Sequence, residues 1–176
     1  MAPLQPFLDP GREQHALRWE SPVGPILLLS DGRALTGLYI GAEHRNAPAT
    51  AAGTPTDELL ERARAELARY FAGEDVVFSI PLAPRGTAFQ RDVWRALLTI
   101  PRGETRSYHD VAEAIGRPRA VRAVGQANAR NPISIFVPCH RVIGRDGSLT
   151  GYGGGLDVKR WLLDHEARLC AAAVSS

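Results

Sequence analysis

The chain has 176 residues, of which 44% are hydrophobic, enough to pack one ordinary domain or two small ones and too many for a long disordered chain. Its longest aliphatic run, Ile26-Leu27-Leu28-Leu29, is far short of the roughly 20 apolar residues that a membrane helix needs. The net charge of +2 conceals a split: 7 Arg face 11 acidic residues before Pro84, whereas 13 Arg and 1 Lys face 8 from there on. An acidic half beside a basic half suggests a polyanion such as nucleic acid as partner of the second, although charge alone leaves open a solvated basic face. Two cysteines, Cys139 and Cys170, exclude a disulfide framework and a four-thiolate zinc site. The first residues lack a basic stretch followed by an apolar one, so the expectation is a cytoplasmic protein with free thiols.

In chain order, His15 to Trp19 reads as a short strand, and Pro25 to Ser30 and Leu35 to Ile40 flank the hairpin signal Asp31-Gly32. Residues 41–56 read as a loop ending at Thr54-Pro55-Thr56-Asp57, where Thr54 and Asp57 are expected to cap a helix running to Gly73. Leu59, Leu60, Ala63, Leu67, Tyr70 and Phe71 fall on one face of it, against the sheet. Val76 to Ile80 is expected as one more strand, and Pro81, Pro84 and Gly86 mark a boundary between domains 1–84 and 85–176. The second half is helical and capped at three-residue intervals, Thr87 with Gln90 and then Ser107 with Asp110. Gly116 stops the second of these helices, and Pro118 is expected to start the next, through Ala127: a helix-turn-helix carrying Arg119 and Arg122 off its apolar stripe. Any solvated helix offers the same two arginines. Ile133 to Val137 reads as a buried extended segment, 144–155 as a flexible glycine-rich loop, and Leu156 to about Leu169 as a closing helix. The fold class expected is α/β (α+β), with a small antiparallel sheet and helix followed by a mostly helical, winged helix-turn-helix-like domain.

The buried segment delivers Pro138-Cys139-His140-Arg141. A thiol with an ordinary pKa of about 8.5 needs a base or positive partners to act as a nucleophile at neutral pH. In an extended segment His140 would point away from Cys139, so its action on the sulfur would run through a turn or a water. Glu166 follows Val158 and Leu162 at helical spacing on an otherwise apolar stripe; a core carboxylate requires a partner, and His140 would serve. A buried structural cysteine and a helix-end glutamate reaching water fit the same spacing.

Pro138-Cys139-His140-Arg141-Val142, with Asn131-Pro132 upstream and Gly151-Tyr152-Gly153-Gly154-Gly155 and Lys159-Arg160-Trp161-Leu162-Leu163 downstream, closely resembles the O6-alkylguanine-DNA alkyltransferases. The resemblance extends from about Phe89 to Glu166, including Tyr108 and Val121-Arg122-Ala123-Val124-Gly125. It implies direct repair of double-stranded DNA: a damaged nucleotide is flipped out and its alkyl group passes irreversibly from O6-alkylguanine, and O4-alkylthymine, to Cys139. Displacement at a saturated carbon needs neither metal nor redox cofactor, so none is expected, nor is a membrane, and the expected state is a monomer. By the same resemblance His140 is the water-mediated base, Glu166 orients it, Asn131 braces the turn and Tyr108 donates a proton toward the departing base. Arg122 would intercalate, Arg119 and Arg141 would contact DNA or substrate, the carbonyls of Cys139 and Val142 would read the guanine amine, and Tyr152, Gly153 and Gly154 would form the lid.

Two departures stand out. Gly153 replaces a side chain such as serine found in some members, so a looser lid tolerant of benzyl as well as methyl groups is expected. No cysteine precedes Cys139, so the structural zinc of certain relatives is not expected. The rival readings are a damage-recognition protein that binds without transfer, a helix-turn-helix regulator and a cysteine hydrolase. Cys139 itself speaks against the first, the Pro138 to Val142 motif with Glu166 against the second, and the lack of an evident oxyanion site against the third.

Overall fold

A computed structural model describes residues 7–12, 14–41 and 55–174. The chain divides into two compact units, one running to Arg85 and also taking in Pro132–Ser134, the other Gly86–Asn131 with Ile135–Ser176.

In the first unit β1 (His15–Ser21), β2 (Gly24–Ser30) and β3 (Leu35–Ile40) form an antiparallel sheet in the order β1-β2-β3. Its register sets Leu17 opposite Leu28 and Leu28 opposite Leu38. The β2–β3 turn forms around Asp31, whose carboxylate accepts the Arg33 and Ala34 amides at 3.0 and 2.8 Å, while Gly32 takes the left-handed φ of 81°. Helix α1 (Glu58–Phe71) starts from Asp57, which accepts the Leu60 amide at 2.7 Å, and buries Leu60, Ala63, Leu67 and Tyr70. The N-cap is therefore Asp57 itself; Thr54 lies outside the described residues.

The strand expected over Val76 to Ile80 does not form. The Ser79 amide is taken by the Glu66 carboxylate of α1, at 3.1 Å to the nearer oxygen, and the chain pairs only at Leu82, through a parallel bridge to Leu35. A second isolated bridge joins Leu38 to Ile133, which attaches Pro132–Ser134 to this unit.

The second unit holds α2 (Ala88–Leu97), β4 (Arg106–Ser107), α3 (Tyr108–Ala114), α4 (Val121–Ala129), β5 (Val142–Ile143) and α5 (Leu156–Val174). Both expected capping boxes are present, Thr87 with Gln90 on α2 and Ser107 with Asp110 on α3. Helices α2, α3 and α4 pack on one another around Val93, Trp94, Leu97, Val111 and Val124, and the Trp94 indole donates to the Ala127 carbonyl at 2.9 Å. Gly86 lies close against Trp94: a Cβ there would lie 2.5 Å from the nearest atom of the indole ring.

Helix α4 begins at Val121 rather than Pro118, because Pro118 and Arg119 are the central residues of a turn closed by the Ala120 amide on the Arg117 carbonyl at 2.9 Å. Residues Ile133 to Val137 are buried as expected, but the segment is not extended throughout. It turns at Ile135, a β-branched residue at φ 70°, a conformation that costs such residues of order 1–3 kcal/mol. β4 and β5 pair in parallel, Arg106 with Val142 and Ser107 with Ile143. Among the described residues, no helix is long and apolar enough to cross a membrane.

Candidate active site

Cys139 opens a single 3-10 turn, Cys139–Arg141, in the second unit and is 4% exposed. Pro138 cannot continue a preceding ladder, and side-chain amides brace both of its neighbours. Asn131 donates to the Val137 carbonyl at 2.8 Å, and Asn128 to the Cys139 carbonyl at 3.3 Å. The turn brings His140 and Arg141 inward together, onto Glu166 of α5.

His140 is fully buried, with Nε2 2.9 Å from Glu166 Oε1, while its Nδ1 is buried with no protein partner. Arg141 grips the same carboxylate with both prongs, Nε on Oε2 and Nη2 on Oε1 at 2.8 Å each, and Nη1 donates to the Ile100 carbonyl at 2.6 Å. Burial alone would raise the Glu166 pKa, but hydrogen bonds from His140 and Arg141, with the charge of the Arg141 guanidinium, hold it well below the carboxylate range. Burial likewise lowers the His140 pKa; Glu166 opposes this, and Arg141 and Lys159 reinforce it, so the imidazole is neutral at rest.

Lys159 lies one and two turns before Leu162 and Glu166 on α5 and is wholly buried. Its ammonium donates to the carbonyls of Val142 and Thr150 at 2.6 and 2.9 Å, tying β5 to the glycine-rich loop. Burial pushes its pKa down to about 8, with the field of Cys139 acting the other way. Tyr108 is half-buried at the start of α3; its hydroxyl donates to the Thr150 carbonyl at 3.4 Å and accepts from Thr150 Oγ1 at 3.0 Å. Burial raises its pKa, so the phenol holds its proton at neutral pH.

The structure thus brings together Cys139, His140, Glu166, Asn131 and Val142, and links Tyr108 to the loop carrying Tyr152, Gly153 and Gly154, which are all partly exposed. Arg119 and Arg122 stand exposed at and after the α3–α4 turn. Arg141, which the sequence grouped with the DNA-contacting residues, instead points inward onto Glu166, with its side chain 11% exposed. That is a correction: every nitrogen of its guanidinium is spent inside the protein. Sequence reasoning missed Asn128 and Lys159. The signal for Lys159 was a lone lysine on an apolar helix stripe in a chain with 20 arginines. His109, Asp110 and Glu113 on α3 bring possible metal-ligating atoms within 4.8 Å of one another, but Asp110 already caps α3 through the Ser107 amide at 2.7 Å.

Residues 88–168 match the family profile of the 6-O-methylguanine DNA methyltransferase DNA-binding domain, and residues 18–84 that of its ribonuclease-like domain. The chain belongs to the 6-O-methylguanine DNA methyltransferase family. It is 52% identical over 147 residues to the methylated-DNA-protein-cysteine methyltransferase of Mycobacterium bovis, covering 84% of this chain and 88% of that one. It is 49% identical over 148 residues to the enzyme of the same name from Methanosarcina acetivorans, covering 84% and 95%. The solved structure of the Mycobacterium tuberculosis relative in complex with DNA superposes with a TM-score of 0.78 at 47% identity, covering 89% of this chain and 94% of that one. Like these relatives, this family member is a DNA-binding repair enzyme, a methyltransferase whose acceptor is a protein cysteine.

Proposed function

We propose that Cys139 is the acceptor and that the chain acts once, as a monomer, on O6-alkylguanine and O4-alkylthymine flipped out of double-stranded DNA. The observation that carries this reading is the 3-10 turn that sets Cys139 beside a buried His140, itself held by Glu166 at 2.9 Å with Nδ1 unpartnered. The Cys139 thiol gives its proton toward Nδ1, directly or through a water, and the sulfur attacks the alkyl carbon. The new S–C bond forms as the C–O6 bond breaks, and the bonding pair passes to the guanine. Tyr108 donates a proton to the base as that charge develops, and the proton that left the sulfur balances it. A thioether has no water-labile bond, so nothing returns the cysteine.

Flipping follows from reach, since a buried cysteine cannot meet an oxygen inside the base stack. Arg122, exposed on α4, has the planar guanidinium to fill the vacated space, and Arg119 sits beside it to hold phosphate. The Val142 carbonyl, which keeps one lone pair beside the Lys159 ammonium, reads the exocyclic amine, and Tyr152, Gly153 and Gly154 cover the base; the Cys139 carbonyl, expected to share that role, is already taken by the Asn128 and Val142 amides. The test is intact-protein mass after incubation with a duplex carrying O6-methylguanine, then one carrying O4-methylthymine, with Cys139→Ala as control. One methyl per chain, mapped to Cys139 and absent from the control, is expected. Retained lesion binding with no mass change would replace transfer by recognition alone.

A further inference from the structure

Arg141 is the least expected member of the site, because a guanidinium buried beside a histidine opposes the charge that the histidine must take up during transfer. Its geometry resolves this. Both prongs close on Glu166 at 2.8 Å, and the third nitrogen is fixed by the Ile100 carbonyl at 2.6 Å, so the group has no freedom to turn outward. A carboxylate gripped in this way is ionised and carries no proton to donate. The 2.9 Å contact from His140 Nε2 to Oε1 must then be an N–H donated by the imidazole. A neutral imidazole with its proton on Nε2 has a bare lone pair on Nδ1, the buried nitrogen without a protein partner.

We propose that Arg141 is a positioning residue for the transfer: it holds Glu166 as a carboxylate, which fixes the His140 proton on Nε2 and offers Nδ1 as the acceptor for the Cys139 proton. The inference rests on the assignment of Cys139 as acceptor. The proton leaves Sγ for Nδ1, the imidazolium so formed is offset by Glu166, and Arg141 neither gains nor loses a proton. Without Arg141, a lone buried carboxylate would draw a proton onto the imidazole at rest, and Nδ1 would no longer accept.

The charged groups around His140 are few. Glu166 and Lys159 face it from α5, and Arg141 and Cys139 flank it on the turn. Helix α2, packed against the same turn, contributes Arg91, Asp92 and Arg95, the last two paired with each other at 3.1 Å and about half-exposed. The depressed His140 pKa, to which Arg141 contributes, agrees with the geometry.

The experiment is the pH dependence of the methyl-transfer rate, read by intact mass, for wild type, Arg141→Lys and Arg141→Met. Loss of a cation this close moves a pKa by about one to three units. Arg141→Met is therefore expected to shift the acidic limb of the profile upward by that amount, and Arg141→Lys to slow transfer with the limb unmoved. A rate for Arg141→Met reduced equally at every pH, with the limb in its wild-type place, would make Arg141 merely structural and overturn the proposal. Nitrogen NMR of the His140 ring in the wild-type protein decides independently of whether Arg141→Met folds. A proton on Nε2 and a bare Nδ1 at neutral pH support the proposal, whereas a proton on Nδ1 overturns it. Failure of the underlying reading is distinguishable, since it would show as no methyl on wild-type Cys139 at any pH.

Discussion

Asn128, in the last turn of α4, donates its side-chain amide to the Cys139 carbonyl at 3.3 Å, while its own Oδ1 is buried with no protein partner. The helix that carries Arg122 is thus tied by a hydrogen bond to the residue after Pro138. The Cys139 carbonyl also accepts the Val142 amide, which closes the 3-10 turn, so it keeps one partner if Asn128 is lost. Asn128→Leu fills the same space and removes the unpartnered oxygen along with the donor. It is expected to unfold within about 1 kcal/mol of wild type, whereas Asn128→Ala loses about 1–3 kcal/mol by leaving a cavity. Both should slow methyl transfer. Urea unfolding and transfer kinetics measure the two effects, and an unchanged rate in the leucine variant would show that the bond does not position Cys139.

Glu166 should be the most costly residue of the site to neutralise. Its ionised form is favoured in the fold, so its stabilisation is fully present above the ordinary value of 4.5 and drains away as pH falls below it. Glu166→Gln leaves Arg141 buried without its counter-charge, for an expected loss of about 3–5 kcal/mol at neutral pH. The gap between the two proteins should narrow as pH falls below 4.5, where wild type loses what the variant never had. Denaturant midpoints taken at neutral and acid pH would show this, and a gap that stays constant would deny Glu166 its depressed pKa.

The chemistry was more legible in the sequence than the local geometry. Cys139, His140 and Glu166 could be read together because a carboxylate on an apolar helix stripe demands a partner, and helical periodicity is independent of how the helix is docked. Asn128 and Lys159 could not, since their partners are backbone carbonyls, which leave no mark on residue type. Arg141 was grouped with the DNA or substrate contacts; nothing local announces that a guanidinium turns in to meet a glutamate 25 residues later. The capping boxes at Thr87 and Ser107 were readable because both halves of each interaction lie within four residues. The missing strand at Val76 to Ile80 is the converse: β-propensity was present, but a tertiary contact from Glu66 took a ladder donor.

Lys159 should make stability rise with pH in the alkaline range. Burial lowers its pKa from 10.5 to about 8, so between these values the unfolded chain holds a proton that the folded chain has released. The neutral amine still has two N–H groups for the Val142 and Thr150 carbonyls, so the network survives the titration. Relative to Lys159→Met, wild type should gain up to about 1.4 kcal/mol per pH unit across this window. Paired denaturant titrations from neutral to alkaline pH measure it. A flat difference would mean that the buried lysine keeps its ordinary pKa.

Gly103 and Cys170 should be energetically coupled although both lie outside the catalytic set. Gly103 has φ 77°, and a Cβ placed on it would lie 2.5 Å from Cys170 Sγ and 3.3 Å from Cys170 Cβ. The thiol itself reaches the Arg102 carbonyl at 3.4 Å, so α5 closes on this turn through its sulfur. Gly103→Ala therefore carries two costs, about 1–2 kcal/mol for the left-handed backbone and about 1–3 kcal/mol for the overlap with sulfur. Cys170→Ala removes the sulfur and leaves only a tight contact with Cβ. In that background Gly103→Ala should cost little more than the backbone term, giving a coupling of about 1 kcal/mol or more in a double-mutant cycle. Additive losses would mean that the turn moves away from α5 at no cost, and that the close approach of Gly103 to Cys170 is not enforced by the packing around it.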